Sequence, residues 1–217
     1  MILYGSSLSP FVRKVLAFAS EKGLELELKR TGDAPGQHCS EFLAASPLRK
    51  MPALVDGDYM LSDSSAIIQY LEALSPEPNL IPTEPRARGR TIWFEEYGDT
   101  ILMACGGKIF FNRVVAPRFF GRPGDAAVAD AAEREEFPPI MDYLESVIPE
   151  SGFLVEDRIT LADIAIASPM ANLEYMDMRI DDQRHPRLAR YVASILSRPS
   201  FAPWIERERQ MLAQMAA

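Results

Sequence analysis

Two clusters of hydroxyl-bearing residues stand immediately before helical stretches: Ser6-Ser7-Leu8-Ser9-Pro10 and Ser62-Asp63-Ser64-Ser65. In the first, Ser9 followed by Pro10 is a strong helix start, a capping hydroxyl and then a proline whose fixed φ already suits the first helical position. After the second, Ala66, Ile67, Tyr70, Leu71 and Leu74 keep helical spacing, which puts the polar cluster at a helix N-terminus. Unpaired N–H groups and the positive end of the helix dipole suit a carboxylate at such a place. Cys39 and Cys105 lie far apart and match no metal-ligand spacing. Both are expected to pack rather than to form a disulfide, and no metal is expected.

The elements that must position these clusters follow from the apolar pattern. Ile2-Leu3-Tyr4 is a short strand ending at Gly5. Phe11, Val12, Val15, Leu16 and Ala19 form one face of a helix that Gly23 ends. Leu24, Leu26 and Leu28 alternate with charged residues and predict a strand. A strand, helix, strand unit of this length implies a parallel pair with a right-handed crossover. The stretch from Thr31 to Gly36, which includes Pro35, reads as loop, and Glu41 to Ala45 as one or two helical turns. Pro52 opens the apolar run Ala53-Leu54-Val55; Asp56-Gly57-Asp58 is a hairpin signal and Tyr59-Met60-Leu61 the return strand. The expectation is a small sheet, part parallel and part antiparallel, with helices packed on it.

Prolines at 76, 78, 82 and 85 resist both helix and sheet and predict a linker. Everything beyond it reads as helix: about 86–111, then 125–147 disturbed at Pro138-Pro139, 160–175, a helix after Pro186, and 201–211. Pro117, Pro123 and Gly124 are expected to break the pattern between the first two. The fold class is therefore α/β plus all-α, with an α/β domain over 1–75, a linker over 76–85 and an all-helical domain over 86–217.

Composition narrows the function. The chain carries 23 Lys and Arg against 31 Asp and Glu, a net charge of −8, which argues against a nucleic-acid partner. It has no apolar run long enough to span a membrane. The N-terminus lacks the basic and apolar regions of a signal peptide, so a cytoplasmic protein is expected.

The sequence resembles the glutathione S-transferase family over nearly its whole length. Four stretches carry the resemblance: YGSSLSPFVRKV at residues 4–15, Lys50-Met51-Pro52, Asp63-Ser64, and Thr160-Leu161-Ala162-Asp163. His38 and the run SPLRKMPALVDGDYML are similar to the theta class; Ser6-Ser7-Leu8-Ser9 is similar to the zeta class, with Pro10 and Phe11 in place of the aromatic and arginine that follow there. The resemblance implies a thioredoxin-like βαβαββα domain followed by an all-helical one. It also implies a cytoplasmic homodimer acting in detoxification, with glutathione as co-substrate and no metal.

Site residues follow from the same resemblance. Pro52 alone reads as the start of an edge strand; the resemblance makes the Met51–Pro52 bond cis, turning the Met51 backbone toward a bound peptide as an added strand would be met. Ser64 and neighbouring N–H groups would take the γ-glutamyl carboxylate and Asp63 the γ-glutamyl amine, while both residues equally fit a plain helix cap. Lys50 and His38 would meet the glycine carboxylate. Where glutaredoxin-like proteins carry Cys-Pro-x-Cys, this sequence has Ser9-Pro10-Phe11-Val12, so disulfide exchange there lacks its thiol. Cys39 follows His38 in a loop, where a reactive thiol is the alternative to packing. Thr160 and Asp163 are expected to cap a helix, a folding role. Phe110, Phe111, Phe119 and Phe120 read as core more than as pocket; Tyr97, Ile101 and Phe201 are pocket candidates, with the pocket expected between the domains.

The implied chemistry is activation of the glutathione thiol. Its unperturbed pKa of about 8.5 leaves a few per cent thiolate at pH 7. Lowering that pKa by roughly two units takes about 2.7 kcal/mol. One hydrogen bond to a charged group supplies about 1.5–3 kcal/mol, and the helix dipole adds to it. Ser9 ranks first as the donor, because Pro10 fixes the helix start behind it, and Ser6 second. The reaction is conjugation of the thiolate to small, mostly apolar electrophiles. Alternatives are a glutathione-dependent isomerase or lyase of zeta type, and a non-catalytic glutathione-binding protein of the same fold.

Overall fold

The structure, a computed structural model, describes residues 1–34 and 36–215. Pro35, expected in a loop, and the last two residues of the expected helical domain lie outside the described residues. The chain groups into two compact units: 1–80 with 199–212, and 81–198 with 213–215. Residues 199–212, assigned by sequence to the helical domain, thus pack with the first unit.

The first unit begins with β1 (Ile2–Tyr4), α1 (Pro10–Glu21), β2 (Glu27–Lys29) and α2 (Ser40–Ala45), and continues with β3 (Ala53–Asp56), β4 (Tyr59–Ser62) and α3 (Ser64–Leu74). This is the expected order. The sheet runs β2-β1-β3-β4, with β1 parallel to β2 and antiparallel to β3, and β3 antiparallel to β4. β2 is shorter than the alternating leucines predict. β1 has three residues, and their partners are Glu27, Leu28 and Lys29, so residues 24–26 have no strand to pair with. Gly57 takes φ +62 in the β3–β4 turn, a conformation glycine adopts without strain. Val12, Val15, Leu16 and Phe18 of α1 and Ile67, Ile68 and Leu71 of α3 are buried, with Leu3 and Leu54 from the sheet.

The second unit is helical. α4 (Pro85–Glu96) leads through a π turn (Tyr97–Leu102) into α5 (Met103–Phe110), a second π turn (Phe111–Val115) and α6 (Ala116–Phe119). This run passes Pro117, where the sequence predicts a break. A proline removes an i→i−4 bond, and here it follows a π turn in which that ladder is already re-registered. Pro138 and Pro139 sit similarly at the start of α8 (Phe137–Val147), which follows α7 (Ala126–Ala131) and a third π turn (Ala132–Glu136). α9 (Leu161–Met170) stops short of the expected 175, one residue after Pro169, and a 3₁₀ turn follows at Glu174–Met176. Because residue 169 has no N–H to give the Ala165 carbonyl, that oxygen is open to another approach. Gly98 supplies it: a Cβ there would lie 2.8 Å from Ala165 O. α10 (Pro186–Leu196) completes this unit; α11 (Ala202–Gln214) packs through residue 212 with the first. No helix among the described residues is long and apolar enough to cross a membrane.

Candidate functional site

The strand register gathers the polar clusters. Tyr4 pairs with Lys29 on one side and Ala53 on the other, and Ala53 pairs with Ser62. The C-terminal ends of β1, β2 and β4 therefore share one end of the sheet with the N-terminal end of β3. Residues 5–9 leave β1 there, Met51-Pro52 enter β3 there, and Asp63-Ser64 leave β4 there. The Cys39 N–H donates to the Thr31 carbonyl at 2.7 Å, which holds His38 near the same end. A Cβ on Gly5 would lie 2.6 Å from Val12 Cγ2 and 3.5 Å from Met51 Cβ, so the absent side chain is what lets β1 turn into α1 this close to Met51.

Ser9 is the N-cap of α1, with Pro10 behind it and extended backbone at φ −73°, ψ 122°. Its hydroxyl makes no capping hydrogen bond, and the side chain is half-buried. The helix starts on the proline, and the Ser9 hydroxyl stands at the positive end of the dipole. The Ser9 N–H donates to the Ser6 carbonyl at 2.9 Å; Ser6 is half-buried and Ser7 buried.

The Met51–Pro52 bond is cis, with Met51 exposed and Pro52 buried. Ser46, which the sequence reading missed, fixes the approach to it. Its hydroxyl donates to the Lys50 carbonyl at 2.6 Å and accepts from the Lys50 N–H at 3.0 Å. The signal was a buried serine after an apolar turn, too common to single out. The Lys50 side chain is exposed.

Asp63 is the N-cap of α3 at φ 83°, ψ 131°. A non-glycine residue with positive φ costs on the order of 1–3 kcal/mol. The offsetting contacts are the Ser65 and Ala66 N–H groups, each 3.0 Å from Asp63 Oδ1. Asp63 is exposed and Ser64, first residue of α3, is buried. His38 packs its ring 5.0 Å from that of Phe42, and its buried Nδ1 has no hydrogen-bond partner.

The pocket candidates divide between the units. Tyr97 and Ile101 fall in the first π turn of the second unit. Burial, and then Tyr143, push the Tyr97 phenol up to about 12, so it stays neutral; Ile101 is exposed. Phe201 belongs to the first unit and has no exposed surface. Cys105 is buried, and burial raises its thiol to about 11, which keeps it protonated. No group of His, Cys, Asp and Glu able to hold a metal occurs among the described residues.

Residues 3–79 match the model of the glutathione S-transferase N-terminal domain and residues 115–208 that of the C-terminal domain. A glutathione S-transferase of Hyoscyamus muticus is 30% identical over 210 residues, covering 95% of this chain and 98% of that protein. The chain belongs to the glutathione S-transferase family. Human glutathione S-transferase theta-1 is 32% identical over 165 residues, with 75% of this chain and 68% of that protein covered. Among solved structures, a glutathione S-transferase from Rhodospirillum rubrum superposes with a TM-score of 0.83 at 26% identity, over 94% of this chain and 90% of that one. One from Sinorhizobium meliloti gives 0.82 at 25%, over 94% and 90%. This glutathione S-transferase family member is an enzyme of the transferase class, with the thioredoxin-like and helical domains of the family and the family's co-substrate, glutathione.

Proposed function

We propose that the chain conjugates the glutathione thiolate to small, mostly apolar electrophiles at the sheet end described above, with Ser9 as the donor to the sulfur. The single observation that carries this reading is the Ser9 hydroxyl, at a helix N-terminus and engaged in no cap. A hydroxyl that donates to a thiolate favours the charged form without losing its own proton. The other assignments rest on fit. Ser64 and the N–H groups opening α3 suit the γ-glutamyl carboxylate and Asp63 the γ-glutamyl amine. The backbone at Met51 and Pro52 suits an extended peptide, and Lys50 with His38, whose buried Nδ1 has no hydrogen-bond partner, suits the glycine carboxylate. Tyr97 and Ile101 are candidates to face the electrophile. A cytoplasmic homodimer is part of the same reading: Cys39 and Cys105 are free thiols, and Trp93 and Ile101 are apolar side chains left exposed on the α4 run.

The test is a pair of titrations. In Ser9→Ala the thiol of bound glutathione should titrate higher and conjugation at pH 7 should fall, with the deficit shrinking at high pH as thiolate forms unaided. Ser6→Ala should leave the titration close to wild type. Thiolate absorbance that shifts in Ser6→Ala and not in Ser9→Ala reverses the two roles. Turnover of a cis-enone acid without conjugation of any model electrophile would replace conjugation by isomerisation.

A further inference from the structure

The first turn of α1 carries a buried ion pair that the chemistry above does not use. The side chains of Arg13 and Glu208 have no exposed surface. Arg13 Nε donates to Glu208 Oε1 at 3.2 Å and Nη2 to Oε2 at 2.6 Å. Two parallel N–H···O bonds fix the plane of the guanidinium as well as its distance. The backbone N–H of Arg13 also donates to the Ser9 carbonyl at 2.9 Å, so Arg13 closes the turn that begins at Ser9.

A second contact shows how α11 lies. The Ser200 hydroxyl, just before α11, donates to Glu21 Oε1 at the far end of α1. The spacing is the same on both segments, Arg13 to Glu21 and Ser200 to Glu208, and their order is reversed. The segment from Ser200 to Glu208 therefore runs antiparallel to α1, pinned near both ends. Stability alone is a poor reason for the inner pin, because a buried ion pair is often no better than apolar residues of the same volume. What two-pronged pairing supplies that apolar packing does not is a fixed register between the helices.

We propose that Glu208 is a positioning residue for the reaction: through Arg13 it sets the first turn of α1, and with it the direction in which the Ser9 hydroxyl points. The inference rests on the reading of Ser9 as the donor to the thiol. The route has two links, the Glu208 carboxylate on the Arg13 guanidinium and the Arg13 N–H on the Ser9 carbonyl. Hydrogen bonds weaken steeply as they bend, so a rotated first turn raises the thiol pKa while glutathione stays bound by residues elsewhere at the sheet end.

Glu208→Asp tests this. It keeps the charge that neutralises Arg13 and withdraws the carboxylate by one methylene; Glu208→Gln, which keeps the length and drops the charge, is read the same way if the aspartate variant does not fold. Thiolate absorbance of bound glutathione is titrated, and kcat and KM for glutathione are measured separately. The expected result is a thiol that titrates about one unit higher, a kcat at pH 7 lowered about tenfold that recovers at high pH, and a KM within about twofold. The Ser9→Ala/Glu208→Asp double variant should titrate no higher than Ser9→Ala alone, since both changes act on one hydrogen bond. An unshifted titration in Glu208→Asp beside a shifted one in Ser9→Ala overturns the positioning role and leaves Ser9 in place. Additive shifts in the double variant overturn it too, as does a loss confined to KM or to melting temperature. A Ser9→Ala titration identical to wild type removes Ser9 from the reaction and the inference with it.

Discussion

Asp63 and Ser64 are neighbours with different tasks. The Asp63 carboxylate already accepts from two N–H groups at the head of α3, which is enough to start the helix whatever Ser64 does. Ser64→Ala should therefore leave melting almost unchanged and weaken glutathione binding by about 1–3 kcal/mol, the cost of an unmet hydrogen bond to a charged group. Titration calorimetry with unchanged affinity would take Ser64 out of the site. At this scale the sequence was legible wherever residue type alone limits the chemistry. Serine rather than cysteine before Pro10 ruled out disulfide exchange at that place, and Ser9-Pro10 placed the helix start to the residue. It was not legible where chemistry depends on which oxygen is engaged. That the Ser9 hydroxyl caps nothing, or that Ser46 holds both backbone groups of Lys50, follows from backbone direction and not from composition.

The elements show the same division. Short-range signals gave the order of strands and helices in the first unit, because turns and caps act over a few residues. The prolines mislead in the helical unit: the sequence predicts a break at Pro117, whereas a π turn just before it absorbs the missing bond. The cap that the sequence predicts at the head of α9 is present and carries further bonds. Asp163 accepts from the N–H groups of Leu154 (2.8 Å) and Thr160 (2.9 Å), from the Thr160 hydroxyl (3.1 Å) and from the Tyr191 hydroxyl (3.1 Å). Asp163→Ala leaves several buried donors unmet at about 1–3 kcal/mol each, a large part of a domain's stability of about 5–15 kcal/mol. Tyr191→Phe removes one bond and should cost about 1 kcal/mol. Denaturant melts that rank the two variants alike would contradict this account. Burial pushes the Asp163 carboxyl up to about 6. Its contribution therefore favours folding most at pH below the ordinary carboxylate value and is lost as pH rises through about 6. Asp163→Asn should flatten that part of the stability profile.

For the whole molecule, the α4 run leaves Trp93 and Ile101 exposed at 46% and 43%, apolar surface of the kind that a second copy covers. Light scattering at micromolar concentration should report a dimer; the 24.2 kDa mass of one chain alone would exclude it. The order of an α/β part and then a helical part was legible from the change in apolar periodicity, but the return of residues 199–212 to the first unit was not. No local pattern announces a partner at the other end of the sequence. That return has a consequence in time. A ribosome makes residue 13 long before residue 208, so while the α/β unit is being synthesised Arg13 must wait for the carboxylate that it faces in the finished fold. A guanidinium is costly to bury without such a counter-charge. Closure of the α/β unit accordingly needs residues 199–212, and a fragment ending at residue 80 should stay loose until a separate peptide spanning 199–212 is added back.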